Sequence, residues 1–341
     1  MKLDLFHFNR YYFQPHTHLP LLSISLKTDF LVSVKPDIMN IIGNTPLIRL
    51  ERLAEPGCAE IYVKYEGTNP SGSMKDRMAL SMIEGAEKRG QLKPGGKVVE
   101  YTGGSTGSSL AMVCAMKGYQ AHFVSSDAFA EEKLQTMRAF GARLDVVPSE
   151  NRLITAKLID TLIERAGELS KAPNTFWTDQ FNNADNRNAY HKMAWEIITV
   201  LGKGFDEFIM GVGTGGSFSG NAEVFKSEVP GIRCIAIEPW NVRALSGGDI
   251  SGSHKLEGIG SGFIPKICRK DLIDEVVAVS DEDAYETARK LARMEGIFGG
   301  TTSGANVWAA IQRARIIGAG KKIVTIIVDS GLKYLNDDLF R

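Results

Sequence analysis

From about residue 96 onward the sequence alternates apolar runs with glycine-rich turns and helical stretches, and that alternation leaves few folds open. KVVEYT is followed by the turn GGSTG, the small-residue helix SSLAMVCAMKG, the run AHFVSS, the helix EEKLQTMRAFGA and the run RLDVVPS. Strand, helix, strand, helix, strand in this order predicts a parallel sheet covered by helices, because adjacent parallel strands need a long crossover. After the amphipathic stretch NRLITAKLIDTLIERAGEL and the polar loop WTDQFNNADNRN the pattern resumes. FDEFIMGVG runs through TGGSFSG into a helix around NAEVFKSEV, and IRCIAIEP follows as a strand. DEDAYETARKLARMEG and SGANVWAAIQRARIIG read as helices, and KKIVTIIVDSG as a buried strand ending in a turn. The chain is therefore expected to be α/β, with two units of mostly parallel sheet. Ligands in such sheets sit beyond the carboxyl ends of strands, so the two glycine-rich turns are the places to look.

With 341 residues, 43% of them hydrophobic, the chain can bury a large core. Forty basic residues balance forty acidic ones, which gives no overall field to attract nucleic acid or an anionic membrane surface. No run approaches the roughly 18 to 20 apolar residues that span a bilayer. The start, MKLDLFHFNR, interrupts any apolar segment with polar residues, so a cytoplasmic protein is expected. Residues 1–38 lack periodicity and read as a poorly ordered extension before the compact MNIIGNTPLIRL. Cys58, Cys114, Cys234 and Cys268 are far apart and read as reduced, mostly core residues. His16 and His18 flank Thr17 without a partner cluster, and no metal site is expected.

Four segments carry candidate chemistry. GVGTGG, Gly211 to Gly216, matches GxGxxG between strand and helix, and Glu238 ends the next strand where a ribose-binding acid would stand; a nicotinamide dehydrogenase is one reading. The loop's physics admits any phosphate, since glycines allow close backbone approach and a helix start offers N–H donors; a tight structural turn is the bland alternative. NPSGSMKDR puts Lys75 at the start of a helix, either as an ordinary lysine or as an amine whose proton affinity the helix end and Arg77 would lower. GGSTG at Gly103 to Gly107 can hold a carboxylate, or can simply cap its helix. At DSG, strand alternation sends Asp329 and Ser330 to opposite sides, and periodicity does not say which one faces a ligand.

Taken together, IGNTPLIRL, NPSGSMKDR, GGSTG, DQFNNADN, GVGTGGSFSG, EGIGSGFIP, GIFGGTTSGA and DSGLKYL make the chain resemble the cysteine synthase and cystathionine β-synthase group of fold-type II pyridoxal phosphate enzymes, from about Ile42 onward. The resemblance implies two three-layer α/β domains, as in the tryptophan synthase β chain, with the active site between them. One, 39–185, would carry Lys75 and the carboxylate loop, with part of 45–72 packing on the other; the second, 186–341, would carry the phosphate loop and Ser330. It also implies a homodimer.

By the same resemblance Lys75 matches the lysine that carries the cofactor and later moves protons at Cα. Gly213, Thr214, Gly215, Gly216 and Ser217 match the phosphate loop, with Ser217 where a threonine is usual. Ser330 matches the serine facing the pyridine nitrogen, and a hydroxyl there makes the ring a weaker electron sink, suited to β-elimination. Thr102, Gly103, Gly104, Ser105 and Thr106 match the substrate carboxylate loop, and Gln180 a second carboxylate contact.

Two departures bear on the substrate. The family reads TSGNTG where this chain has TGGSTG, so Gly103 replaces a serine and Ser105 an asparagine that touches both cofactor and substrate. SDAFAEEK, Ser126 to Lys133, likewise departs from PETMSxERR, the segment associated with closure. The function implied is β-replacement on an activated serine such as O-acetyl-L-serine, through an aminoacrylate, with sulfide or a thiol giving L-cysteine or a relative. Cystathionine β-synthase or cysteine desulfhydrase activity is the alternative within this chemistry, and a pyridoxal phosphate-binding protein of little turnover the alternative outside it. No regulatory module is expected beyond Arg341.

Overall fold

The computed structural model describes residues 37–151 and 155–341. Most of the expected N-terminal extension, with His16 and His18, lies outside the described residues. The described chain opens with strands β1 (Leu47–Arg49) and β2 (Glu60–Tyr65), paired antiparallel. Helix α1 (Lys75–Lys88), β3 (Lys97–Tyr101), α2 (Ser105–Lys117), β4 (Gln120–Ser126), α3 (Glu131–Ala139), β5 (Arg143–Val147), α4 (Ala156–Ser170) and β6 (Thr175–Trp177) follow. They include a four-stranded, all-parallel sheet in the order β5-β4-β3-β6.

Helices α5 (Ala184–Asn188) and α6 (His191–Leu201) lead to β7 (Glu207–Gly211), α7 (Gly216–Glu228), β8 (Arg233–Pro239), β9 (Glu275–Val279), α8 (Asp281–Lys290), α9 (Thr301–Ile317) and β10 (Lys322–Ile327). These strands join the first two in a six-stranded sheet, β1-β2-β10-β7-β8-β9, parallel except at β1–β2. The architecture is α/β, as the alternation of apolar runs and turns predicts.

Burial explains why the strands read as unbroken apolar runs. Every residue of β7 is buried, and β8 is buried from its second residue onward, as expected for parallel strands covered on both faces. The largest core cluster joins Met78 and Met82 of α1, Leu110 of α2, Phe123 of β4, Phe208 of β7 and Phe218 of α7. Each such side chain contributes about 1.5–3 kcal/mol on burial. All four cysteines are free, and burial pushes the Cys114 and Cys234 thiols up to about 12. Among the described residues no helix is long and apolar enough to cross a membrane.

Register brings the functional segments together. β2, β10 and β7 are parallel neighbours, so their carboxyl ends share one edge, and from that edge leave residues 66–75, 328–329 and 211–217. In the other sheet β3, β4 and β6 likewise deliver residues 102–106, 127–130 and 178–181 to a common edge.

Candidate active site

The turn before α1 is held from several sides. Gly72 adopts φ +75°, a conformation glycine tolerates best, while its N–H donates to Asn69 O at 2.7 Å and its carbonyl accepts from Ser330 N at 2.9 Å. The Asp76 carboxylate accepts from Ser71 N at 2.8 Å and from the Ser71 hydroxyl. Lys75 then begins the helix and lines a cavity of about 530 Å³. Burial pushes its amine down to about 8, with the Asp329 charge opposing. Arg77, expected to assist, is engaged elsewhere: it donates to Glu66 at 2.7 and 2.8 Å and to Glu196 at 2.7 and 2.8 Å. Its charge is met by two carboxylates, and desolvation is what lowers Lys75.

Opposite stands the loop between β7 and α7. Gly213, Thr214, Gly215 and Ser217 line the cavity. Gly216 does not; a Cβ there would lie 2.4 Å from Asn186 Oδ1. A Cβ at Gly213 would lie 2.0 Å from Gly258 O, and one at Gly215, which has φ +79°, 2.5 Å from Cys268 Cβ. Asn186 Nδ2 fixes the loop by donating to Thr214 Oγ1 at 3.1 Å and to Gln180 O at 2.7 Å. Among the described residues the Ser217 hydroxyl has a thioether partner, Met210 Sδ at 3.2 Å. Glycines pressed from behind, a helix start ahead and a lysine across the cavity form a cradle that fits pyridoxal phosphate. Glu238 does not serve a ribose: it accepts from Leu245 N at 2.7 Å and from Ser246, and it does not line the cavity.

The third wall holds all six residues expected at the substrate carboxylate. Thr102 Oγ1 accepts from Gly104 N at 3.3 Å and Gly107 N at 3.1 Å, so it also caps α2. Gly103, Gly104, Ser105 and Thr106 follow, and Thr106 Oγ1 donates to Gln180 Oε1 at 2.9 Å. Gln180 Nε2 donates to Tyr101 O at 3.2 Å, and Gln180 N to Glu100 Oε2 at 3.0 Å. Glu100 is buried, which pushes its carboxyl up to about 7.

One choice departs from the expectation. Asp329, not Ser330, lines the cavity. β10 ends at Ile327, and beyond it the Ser330 backbone bridges to Gly299 while its hydroxyl accepts from Leu332 N at 3.3 Å, capping the next turn. Asp329 accepts from Tyr334 Oη at 2.8 Å, and burial raises its carboxyl. Lys133 Nζ lies 4.4 Å from the centre of the Tyr334 ring and pairs with Glu257, linking α3 to two walls of the cavity. Burial pushes Lys133 down to about 8.

The sequence reading did not single out Phe129, Glu257, Thr302 or Tyr334, all of which line the cavity. Three of them lie in motifs that carry the family resemblance, Glu257 in EGIGSGFIP, Thr302 in GIFGGTTSGA and Tyr334 in DSGLKYL. Thr302 Oγ1 donates to Glu257 O at 2.6 Å, joining two of those motifs at the cavity. Phe129 lies in a departure from the family pattern and had no such signal.

The chain is similar to known proteins over most of its length. A family model described as pyridoxal-phosphate dependent enzyme matches residues 38–329. A cysteine synthase of Staphylococcus aureus (strain Mu50 / ATCC 700699) is 41% identical over 306 residues, covering 89% of this chain and 96% of the relative. The crystal structure of a hydrogen sulfide-producing enzyme from Fusobacterium nucleatum superposes with a TM-score of 0.84 at 39% identity, covering 89% of this chain and 99% of that one. That of O-acetyl serine sulfhydrylase isoform 3 from Entamoeba histolytica gives 0.85 at 34% identity, covering 91% and 92%.

Proposed function

Because this chain belongs to the family of pyridoxal-phosphate dependent enzymes, we propose that it replaces the β-substituent of an activated L-serine, of the O-acetyl-L-serine type, with sulfide or a thiol to give L-cysteine or a close relative. The observation that carries this reading is the meeting, in one cavity, of Lys75, the glycine cradle before α7 and the loop 102–106.

Pyridoxal phosphate, when bound, supplies an electrophilic aldehyde and a conjugated ring that takes up the electron pair left at Cα. Gly213, Thr214, Gly215 and Ser217 would hold its phosphate on backbone N–H groups, with Gly216, packed against Asn186, supporting the turn. Lys75, with its proton affinity lowered to about 8, is partly neutral near neutral pH; it would carry the cofactor on its amine and, when not bonded to it, would be the base that moves the proton at Cα. Thr102, Ser105, the Gln180 amide that Thr106 positions, and the N–H groups at the start of α2 would bind the substrate carboxylate and so orient Cα–H toward Lys75. Asp329 faces the cavity where Ser330 was expected, and its charge raises the proton affinity of Lys75 against the effect of burial.

The likeness to a hydrogen sulfide-producing enzyme supports a second reading at the same site, release of sulfide from L-cysteine. A homodimeric, cytoplasmic protein belongs to the same proposal by resemblance, and light scattering of the purified protein checks the dimer. The deciding experiment titrates the cofactor-loaded protein with O-acetyl-L-serine under visible absorbance, adds sulfide and measures cysteine. A spectral change reversed by sulfide, with cysteine formed and both lost in Lys75→Ala, is the expected result. A loaded protein that makes neither cysteine from the ester nor sulfide from cysteine overturns the proposal.

A further inference from the structure

The two departures that bear on the substrate touch each other, Gly103 of one against Phe129 of the other. A Cβ built on Gly103 would lie 2.2 Å from Cδ1, 2.3 Å from Cε1 and 2.3 Å from Cγ of Phe129. The backbone of Gly103 is not in the left-handed region, so the ring, and not the chain conformation, is what demands glycine here. Neighbouring Gly104 has nothing among the described residues within 4 Å of its own Cβ position, so the ring crowds Gly103 and not the residue beside it. Small motions do not relieve it, because Cγ sits at the root of the ring and a shift there carries the whole side chain. Phe129 is also anchored: it packs on the cluster of Val99, Val124 and Leu162 beneath the loop. Its ring nonetheless borders the cavity beside Gly103 and Ser105.

We propose that Phe129 is a specificity-determining residue, interlocked with Gly103. Its ring occupies the space that a side chain at 103 would need, and so walls the subsite where the carboxylate of the amino acid binds. The consequence is a subsite in which backbone N–H groups and the hydroxyls of Thr102 and Ser105 meet the carboxylate, with no hydroxyl at 103 and an apolar ring excluding water from one side. This rests on the reading of 102–106 as the carboxylate loop and adds the element that shapes it.

The test uses cofactor-loaded wild type, Gly103→Ser, Phe129→Ala and the double variant. Three readouts are compared: binding of L-alanine by change in the visible spectrum, KM and kcat for O-acetyl-L-serine with sulfide, and the melting temperature. Gly103→Ser is expected to weaken L-alanine binding and raise KM about tenfold or more, and Phe129→Ala to raise KM several-fold with kcat changed less. The double variant is expected to bind and turn over at least as well as Gly103→Ser alone, with the melting temperature lost in Gly103→Ser partly restored, because the added hydroxymethyl then has room. Single effects that simply add, or a Gly103→Ser protein that binds L-alanine like wild type, overturn this inference alone. A wild type that neither binds L-alanine nor turns over the ester overturns it together with the function it rests on.

Discussion

Thr106 Oγ1 donates its proton to Gln180 Oε1 at 2.9 Å, so two segments that leave different strands of one sheet share a hydrogen bond at the wall of the cavity. Gln180→Ala leaves the buried Thr106 hydroxyl to find another partner and removes an amide from the carboxylate subsite. KM for the amino acid is expected to rise about tenfold with a smaller fall in kcat, read by steady-state kinetics.

Loading with pyridoxal phosphate requires a neutral Lys75. Its amine is held at about 8, so the rate of loading of the apoprotein is expected to climb with pH up to about 8 and level off above it, followed by stopped-flow absorbance. The same shift has a stability sign. Between about 8 and the ordinary 10.5 the unfolded chain holds more protons on this lysine than the folded one, so stability rises with pH across that window. Apo Lys75→Met is therefore expected to melt higher than apo wild type at pH 7, with the gap closing toward pH 10.

Arg77, Glu66, Glu196 and Lys64 form a buried charge network beneath α1. Arg77→Met leaves Glu66, 0% exposed, without its counter-ion and is expected to cost about 3–5 kcal/mol in chemical denaturation. Burial disfavours the Glu196 charge, but Arg77 and then Lys64 hold its carboxyl down to about 2. Its contribution is full above the ordinary 4.5 and disappears as pH falls toward 2, so Glu196→Gln is expected to flatten that part of the acid-denaturation curve.

At Gly213 a methyl group would meet Gly258 O at 2.0 Å. Gly213→Ala is expected to fold, by circular dichroism, yet to retain little pyridoxal phosphate after gel filtration. Retention equal to wild type contradicts the cradle.

Ser330 points away from the cavity and Asp329 into it. Ser330→Ala is expected to keep kcat within about twofold of wild type, since it removes only a turn cap. Asp329→Asn is expected to move the rising limb of cofactor loading to lower pH, because it deletes the charge that raises Lys75.

What could be read from the sequence was set by local pattern. β3, α2, β4, α3 and β5 fall where apolar runs and glycine turns put them, and Lys75 starts α1 as the NPSGSMKDR turn requires. The side facing the cavity after β10 was not legible, because alternation holds only while a strand is hydrogen-bonded on its ladder, and the ladder ends at Ile327. The partners of Arg77 were illegible for another reason. Glu66 and Glu196 lie 11 and 119 residues away, and only tertiary packing brings them together. Phe129 and Gly103 each looked like a separate departure; their contact is a property of the sheet edge that places the ends of β3 and β4 side by side.

β10 lies between β2 and β7, although about a hundred residues of chain separate it from β7 and far more separate it from β2. During synthesis the two outer partners therefore wait with bare edges for a strand that leaves the ribosome late. A nascent chain shorter than Ile327 has no closed six-stranded sheet, and the segments bearing Lys75 and the glycine cradle lack the strand that spaces them. A product that ends before β10 is therefore expected to bind no cofactor and to leave the β2 and β7 edges open to pairing with other chains.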